Sequence, residues 1–235
     1  MSEITLMHVI GAVYGLTEKG VQPPGPPPGK DNTALLLIDI QQMATPEYMA
    51  RAAVKAGLPE TAVQTALADY KERFYCAVEN CSRVLNAARQ NGIPPIHVKI
   101  ESLSGDARDT SMVHKMLGWA YPPGSEGAQF LPDIAPKPGE IVLTKTVSGA
   151  FTGTILDRVL RHMGISYLFV CGFVTDECVE TTVRDALDYG YLASIIRDAT
   201  TAYTRETYAH VIGKFSGFGL TPAAEEVAGL FGQIA

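Results

Sequence analysis

Three residues of this sequence belong to types that act together in covalent catalysis, and each lies at or just beyond the end of a short apolar run. Asp39 ends the run ALLLID, Lys145 ends the run IVLTK, and Cys178 lies six residues after the run YLFVCG. A thiolate is a strong nucleophile, a carboxylate can accept the thiol proton, and an ammonium group attracts the resulting anion. The residue types therefore predict Cys178 as nucleophile, Asp39 as proton acceptor and Lys145 as cationic partner.

Each of the three residues also has a purely structural interpretation. A strand-terminal Asp is common in α/β proteins, a Lys at the end of a strand is usually solvated, and a Cys in a helix is usually buried. The catalytic interpretation rests on their joint position, because ligands bind beyond the carboxyl ends of the strands in an open parallel sheet. At the start of a helix and close to Lys145, the thiol of Cys178 is expected to have a lowered pKa.

The elements that must position these residues alternate along the chain. Uninterrupted apolar runs, typical of strands covered on both faces, are separated by segments in which apolar residues recur every three or four positions, as in amphipathic helices. The strand runs cover residues 34–39, 95–100, 141–145, 167–172 and 191–198, and GFGL at 217–220 is a candidate sixth strand. The pattern predicts the α/β fold class: a three-layer αβα, Rossmann-like open parallel sheet of five or six strands with helices on both faces.

Signals for helix boundaries accompany this pattern. The long helix between the first two strands is predicted to end at Asn91-Gly92, because glycine favours the left-handed cap. A second helix is predicted to open at Thr154, where Thr154 and Asp157 match a capping pattern. Further helices are predicted around 176–189, 204–214 and 222–232. The helix predicted at 176–189 has Cys178 in its first turn.

A tract rich in proline and glycine, QPPGPPPGK at 22–30, precedes the first strand run. Proline fixes φ and has no N–H, so this tract is predicted to be neither a helix nor a central strand. We therefore divide the chain into an N-terminal arm over residues 1–30 and a single domain over residues 31–235. The arm carries several large apolar side chains and is expected to pack on the domain or on a partner subunit.

Composition argues against several classes of function. The chain of 235 residues is 46% hydrophobic and 19% charged, with a net charge of −6. This acidic balance argues against a nucleic-acid partner, and the lack of a long apolar run argues against a membrane protein. The N-terminal residues show no basic leader, and four scattered cysteines without a CxxC pair match neither a disulfide framework nor a metal site. We therefore expect a cytoplasmic protein.

Three longer segments resemble the signature blocks of a known family. They are LLLIDIQ, which ends at Gln41, KTVSGAFTGTILDRVL over 145–160 and GFVTDECVETTVRDALDYGY over 172–191. Similar blocks occur in the isochorismatase-like cysteine hydrolases, which include nicotinamidases, N-carbamoylsarcosine amidase, and ureidoacrylate and biuret hydrolases. The resemblance covers about residues 30–215, and it implies a catalytic triad of Asp39, Lys145 and Cys178 in this sequence.

The resemblance also implies details of the site. It places a cis peptide between Phe173 and Val174, and it assigns the N–H groups of Val174 and Cys178 to an oxyanion hole. It further implies a homo-oligomer that acts on a small-molecule substrate. Nicotinamidases carry a D-x-H metal cluster after the first strand, whereas this chain has no histidine between His8 and His97. We therefore expect no metal and no cofactor, and a structural role for His97.

Five side chains are candidates for substrate contact, because they follow strand ends or lie in the irregular segment 102–140, which is predicted to cover the site. They are Gln41, Tyr48, Glu101, Trp119 and Phe151. For Trp119 and Phe151, simple packing is an equally good interpretation. The identity of the substrate is not predicted by any of these residues.

The leading functional hypothesis is hydrolysis of a C–N bond in a small amide, carbamoyl or ureido compound through a covalent acyl-enzyme, with release of ammonia or an amine. One alternative is cleavage of a vinyl ether in an isochorismate-type substrate, which does not need the thiol as nucleophile. Another is a non-catalytic binding module on the same fold, which would be expected to have lost the triad residues. The intact set of Asp39, Lys145 and Cys178 favours the hydrolase.

Overall fold

A computed structural model describes residues 25–218 and 220–235, together with Val9 and Val13. Most of the predicted N-terminal arm, residues 1–30, lies outside the described residues, so its packing stays a prediction. The end of the Pro/Gly tract lies against the domain, where the Tyr167 hydroxyl donates a hydrogen bond to the carbonyl of Pro26 at 2.7 Å. A short 3₁₀ turn at Lys30–Asn32 then leads into the first strand.

Five strands form the centre of the fold. They are β1 (Thr33–Ile38), β2 (Pro95–Ile100), β3 (Ile141–Lys145), β4 (Tyr167–Phe173) and β5 (Leu192–Thr201). Their order in the sheet is β3-β2-β1-β4-β5, and every pair of neighbours is parallel. The predicted α/β class and parallel sheet are confirmed, with a strand at each of the five predicted runs.

Helices cover both faces of the sheet. They are α1 (Pro46–Lys55), α2 (Glu60–Asn91), α3 (Met112–Met116), α4 (Leu156–His162), α5 (Glu180–Asp188), α6 (Arg205–Ser216) and α7 (Ala224–Gln233). Successive side chains of a strand point to opposite faces, so Leu36 and Ile38 pack with α4, α5 and α6, whereas Leu35 and Leu37 pack with α2 and α7. Both faces of β1 are therefore buried, which explains its uninterrupted apolar sequence.

The long helix α2 ends where the sequence predicts. Gly92 follows Asn91 with φ 70° and ψ 21°, and its N–H donates to the carbonyl of Ala88, so glycine takes the left-handed position that other residues disfavour. Cys81 of this helix is buried and Cys76 is exposed. Their spacing of five residues places the two thiols on different sides of the helix.

The candidate sixth strand is not formed. The N–H groups of Ile195 and Arg197 in β5 donate to the carbonyls of Leu220 and Pro222, but Pro222 has no N–H with which to return a hydrogen bond. Residues 220–222 thus lie along β5 as irregular chain, and β5 is the edge strand of the sheet.

Helix α4 also begins later than predicted. The Thr154 hydroxyl accepts from the N–H of Leu156, two residues ahead, and donates to the carbonyl of Ala150. The carboxylate of Asp157 faces Arg161 and the hydroxyl of Tyr191 instead of closing a capping box. The predicted cap is therefore replaced by a local turn, and the helix starts at Leu156.

The segment between β2 and β3 crosses the carboxyl ends of the strands. It includes α3 and short 3₁₀ turns at Glu126–Ala128 and Pro132–Ile134, and it pairs with the chain after β1 through a bridge between Gln41 and Phe130. It therefore covers the predicted site. Within the described residues, no helix has the length and apolar character that crossing a bilayer requires.

Candidate active site

Asp39 follows the last residue of β1 in an unusual backbone conformation. Its φ is 50°, which is uncommon for a residue with a Cβ, and its N–H donates to the carbonyl of Val98 in β2 at 2.9 Å. The side chain is only 1% exposed. The chain thus turns sharply at the carboxyl edge of the sheet, where strained backbone often marks a functional site.

The Lys145 side chain is fully buried, and its ammonium group has a partner in three directions. Its Nζ lies 2.7 Å from Oδ2 of Asp39 and 3.3 Å from Sγ of Cys178, and it donates to the carbonyl of Val147 at 2.9 Å. Two hydrogen bonds and one ion pair thus surround the ammonium group. The last residue of β3 therefore reaches past β2 to join the ends of β1 and β4.

Cys178 lies in a π-helical turn, Thr175–Val179, which connects β4 to α5. The peptide bond between Phe173 and Val174, which precedes this turn, is cis, as the family resemblance implies. The Thr182 hydroxyl donates to the carbonyl of Cys178 at 2.6 Å and holds the turn from the first part of α5. Such π-helical turns are frequent at functional sites.

Charge and burial oppose each other in this cluster. Burial raises the pKa of Asp39, although the adjacent Lys145 pulls it down. Burial lowers the pKa of Lys145, but the negative charges of Asp39 and Cys178 outweigh it, so that the pKa of Lys145 lies above its ordinary value. A lysine in this state stays protonated, and an aspartate with a raised pKa is a better proton acceptor than an exposed one.

The pKa of the Cys178 thiol is raised, which corrects the expectation of a lowered pKa. Burial is the largest cause, and Lys145, which favours the thiolate, is opposed by the negative charge of Asp39. The thiol is almost fully enclosed, at 4% exposure, and this burial outweighs the effect of its position at the start of a helix. The resting group is therefore a thiol beside a carboxylate, and a nucleophilic attack by Cys178 would require its proton to move.

A cavity of about 350 Å³ lies beside Asp39 and Cys178. Its walls come from α1, from the segment between β2 and β3, and from the chain after β4 and β5. Most of its lining is apolar or aromatic, as is usual for small-molecule sites. The aromatic lining residues are Tyr48, Trp119, Tyr121, Phe173 and Tyr203.

Of the five side chains predicted to contact substrate, the structure places Tyr48 and Trp119 in the cavity lining. It places Gln41, Glu101 and Phe151 elsewhere. The Gln41 amide is buried, donating to the carbonyls of Ile100 and Ala128 and accepting from the N–H of Ile100.

Glu101 and Phe151 are likewise engaged outside the cavity. The Glu101 carboxylate pairs with Lys99 at 2.7 Å. The Phe151 ring stacks on Tyr189 with 5.3 Å between the ring centroids, and it is 5% exposed. A position after a strand end therefore does not decide whether a side chain points into the cavity or into the core.

Three polar residues that line the cavity were not predicted from the sequence. Tyr121 lies in the segment between β2 and β3, Glu177 precedes the nucleophile candidate, and Tyr203 lies two residues after β5. The rule that ligands bind at strand ends could have identified Tyr203, and the position next to Cys178 could have identified Glu177.

Histidines do not enter the cavity lining in the described part of the chain. His97 packs edge-on against Phe130, and its Nε2 lies 3.0 Å from Oε2 of Glu140, in agreement with a structural role. In residues 25–218 and 220–235, no three His, Cys, Asp or Glu side chains come close enough together to hold a metal ion. The expected lack of a metal and of a cofactor stays a prediction.

The comparison with known proteins decides the family. Residues 33–226 match the isochorismatase domain. The chain belongs to the isochorismatase family. Within this family it is 27% identical to the isochorismatase family protein YddQ of Bacillus subtilis over 172 residues, which are 73% of this chain and 79% of that protein. The chain is therefore an isochorismatase-like hydrolase with an α/β fold.

Other known proteins match this chain over part of its length or in fold. The ureidoacrylate amidohydrolase RutB of Caulobacter vibrioides is 35% identical over 111 residues, 46% of this chain and 48% of that enzyme. A cysteine hydrolase from Pseudomonas syringae superposes with a TM-score of 0.73 at 21% identity, covering 90% of this chain and 97% of that one. N-carbamoylsarcosine amidase from Thermoplasma acidophilum superposes with a TM-score of 0.61 at 23% identity, covering 83% and 98%. The two superposed structures share the fold of this chain.

Proposed function

We propose that this isochorismatase family protein is a cysteine-dependent amidohydrolase that cleaves a C–N bond in a small amide, carbamoyl or ureido compound. The observation that carries the proposal is the contact of Lys145 with both Asp39 and Cys178, beside a cavity of about 350 Å³. A carboxylate, an ammonium group and a thiol, buried together, are the groups that acyl transfer through a thioester needs.

In the first half of the reaction, Sγ of Cys178 attacks the substrate carbonyl carbon, and the thiol proton moves to Asp39. The π electrons of the carbonyl pass to its oxygen, and we assign the N–H groups of Val174 and Cys178 as donors to that oxyanion. When the carbonyl re-forms, the C–N bond breaks. The leaving nitrogen takes the proton from Asp39, which yields ammonia or an amine and a thioester on Cys178.

In the second half, a water molecule gives its proton to Asp39 as its oxygen attacks the thioester carbon. Collapse of this intermediate breaks the C–S bond, and the departing sulfur recovers the proton from Asp39, which restores the resting thiol. Lys145 stays protonated throughout, because its raised pKa opposes loss of its proton, and it balances the negative charge that passes between carboxylate and sulfur.

Two relatives support this class of substrate. RutB is named a ureidoacrylate amidohydrolase, and the neighbour from Thermoplasma acidophilum is named an N-carbamoylsarcosine amidase. Both names denote ureido or carbamoyl compounds that also carry a carboxylate. The shared chemistry is the C–N bond next to a carbonyl, which is what the proposed thiol attack requires.

The test is ammonia release from a panel of small amides and ureides by the wild-type protein and by the variants Cys178→Ser and Asp39→Asn. We expect both variants to lose at least about a thousandfold in kcat, because the nucleophile or its proton acceptor is removed. Mass spectrometry with a slow substrate should show an acyl adduct on Cys178.

The matched control is Cys76→Ser, the same chemical change at an exposed site on α2. It should keep the wild-type rate. If Cys178→Ser kept substantial activity and no adduct formed, the thiol would not be the nucleophile, as in cleavage of a vinyl ether. If the wild-type protein released nothing from any member of the panel, the amidohydrolase proposal would be wrong.

A further inference from the structure

The charge of the cavity lining limits what kind of substrate it accepts. Two acidic residues line the cavity, Asp39 and Glu177, and no Lys or Arg does so among the residues that the structure describes. Asp39 is neutralised by Lys145 at 2.7 Å. The net charge that a substrate meets in this lining is therefore the negative charge of Glu177.

Glu177 lies one residue before Cys178 and is half-buried. In the described part of the chain, no cationic side chain lies within ion-pair distance of its carboxylate; the neighbouring Glu180 instead pairs with Arg184 at 2.7 Å. Burial and the adjacent Asp176 raise the pKa of Glu177, while Ser148 and Lys145 oppose the rise. A partly desolvated carboxylate without a cation beside it is a strong acceptor for a donor group of a ligand.

Two arginines contact residues of the cavity lining, but their guanidinium groups are paired with other carboxylates. Arg51 lies over the ring of Tyr48 at 5.7 Å and pairs with Glu126, and Arg73 donates to the carbonyl of Tyr203 at 3.0 Å and pairs with Asp69. A substrate carboxylate in the cavity would meet Glu177 and find no compensating cation in the described lining. Burying such an unpaired anion is unfavourable.

We propose that Glu177 selects the substrate: this cavity takes a small amide whose far end is apolar or cationic, and it disfavours amides that carry a carboxylate. The aromatic walls contributed by Tyr48, Trp119 and Tyr203 suit a flat apolar body, and Glu177 receives an N–H or ammonium group. This inference deepens the proposed function, on which it rests for the amide end of the ligand. It departs from the carboxylate-bearing compounds named for the two relatives.

The experiment measures binding to the variant Cys178→Ser, so that its outcome does not depend on turnover. The probes are three benzamides that differ only at the para position: para-toluamide is neutral, para-(aminomethyl)benzamide is cationic and para-carbamoylbenzoate is anionic. Trp119 is the single tryptophan of the chain and lines the cavity, so its fluorescence reports occupation directly.

We expect the cationic amide to bind about tenfold more tightly than the anionic one, with the neutral amide between them, since attraction and repulsion at a partly exposed carboxylate add. The additional substitution Glu177→Gln should bring the three dissociation constants to within about twofold of one another. High salt screens the charge of Glu177, so it should also bring the three dissociation constants closer together.

The matched control is Glu180→Gln, which removes the same charge three residues further on, from a side chain outside the cavity lining. It should keep the order of affinities. Tightest binding of the anionic amide, an unchanged order after Glu177→Gln, or no fluorescence response to any of the three amides would each overturn the inference. Ammonia release from carboxylate-bearing ureides in preference to the others would leave the proposed function standing and refute this selection.

Discussion

At the scale of single residues, burial decides how the side chains of this site behave. Cys178 is enclosed together with Asp39 and Lys145, whereas Cys76 is exposed on α2. A thiol reacts with alkylating agents as the thiolate, so both access and pKa set its rate. The four cysteines should therefore differ in reactivity in a way that the sequence alone does not indicate.

We predict that iodoacetamide at neutral pH labels Cys76 before Cys178. The pKa of Cys178 is raised by burial, so the fraction of thiolate at neutral pH is small, and the sulfur is hardly accessible. The rate at Cys178 should continue to rise with pH above the range in which exposed thiols ionise. Peptide mapping by mass spectrometry at several pH values measures this, and faster labelling of Cys178 at neutral pH would contradict the raised pKa.

Gln41 is predicted to act on stability and not on substrate affinity. Gln41→Leu removes an amide that accepts from the N–H of Ile100 and donates to the carbonyls of Ile100 and Ala128, and leaves those backbone groups unpaired. We expect the free energy of unfolding to fall by about 2–4 kcal/mol. The KM should stay within about twofold of wild type, as expected for a side chain outside the cavity lining. Urea unfolding and steady-state kinetics check the two parts, and a large rise in KM would restore Gln41 as a substrate contact.

At the scale of elements, close approach of β1 and β4 brings the two sides of the site together. Gly172 of β4 has φ 124°, and a Cβ at this position would lie 1.9 Å from the carbonyl oxygen of Ile38 in β1. The register of β4 against β5 also shifts here, between Val170 and Gly172. Only glycine permits this contact, which places Asp39 next to the turn that carries Cys178.

We predict that Gly172→Ala lowers the free energy of unfolding by more than about 3 kcal/mol, because the clash is with backbone and the φ is unfavourable for alanine. The control is Gly213→Ala, in the exposed interior of α6, where a new Cβ meets nothing within 4 Å. This control should stabilise the protein by about 0.5–1 kcal/mol, since alanine favours the helix. Urea denaturation of both variants measures the contrast, and similar stabilities would show that β1 and β4 can separate without cost.

At the scale of the whole molecule, a partly buried ionic network joins α2 to the β2–β3 side of the sheet. The Arg89 guanidinium pairs with Glu140 at 2.8 Å, and His97 of β2 lies 3.0 Å from the same carboxylate. The Arg89 side chain also donates to the carbonyl of Ala135. The hydrogen bonds from Arg89 hold the pKa of Glu140 well below its ordinary value, at about 2.

A carboxylate with a depressed pKa stabilises the fold above its ordinary pKa, and this contribution is lost as the pH falls towards the folded value. We predict that Glu140→Gln lowers the free energy of unfolding by about 2 kcal/mol at pH 7, and that the difference from wild type shrinks as the pH falls from about 4.5 to about 2. Urea unfolding as a function of pH measures it. The control is Glu126→Gln, which removes an exposed ion pair and should lower the free energy of unfolding by less than about 1 kcal/mol. If the difference between Glu140→Gln and wild type stayed constant with pH, the proposed effect of the Glu140 pKa on stability would be wrong.

The assembly expected from the family resemblance and from the apolar N-terminal arm is a homo-oligomer. Sedimentation velocity at micromolar concentration should show a species larger than the 25.2 kDa chain, and removal of residues 1–24 should weaken it if the arm contributes to the contact. A single monomeric species would contradict this prediction. The cytoplasmic location likewise stays a prediction.

The sequence by itself determined the five strands, the end of α2 at Gly92, and the positions of Asp39, Lys145 and Cys178 at strand ends, because periodicity, turn residues and strand termini are local properties of the chain. Only the tertiary structure decided that Gln41, Glu101 and Phe151 lie outside the cavity while Glu177 and Tyr203 line it. It also decided that burial raises the pKa of the thiol. These properties depend on which distant segments enclose a side chain, and local sequence patterns carry no record of that enclosure.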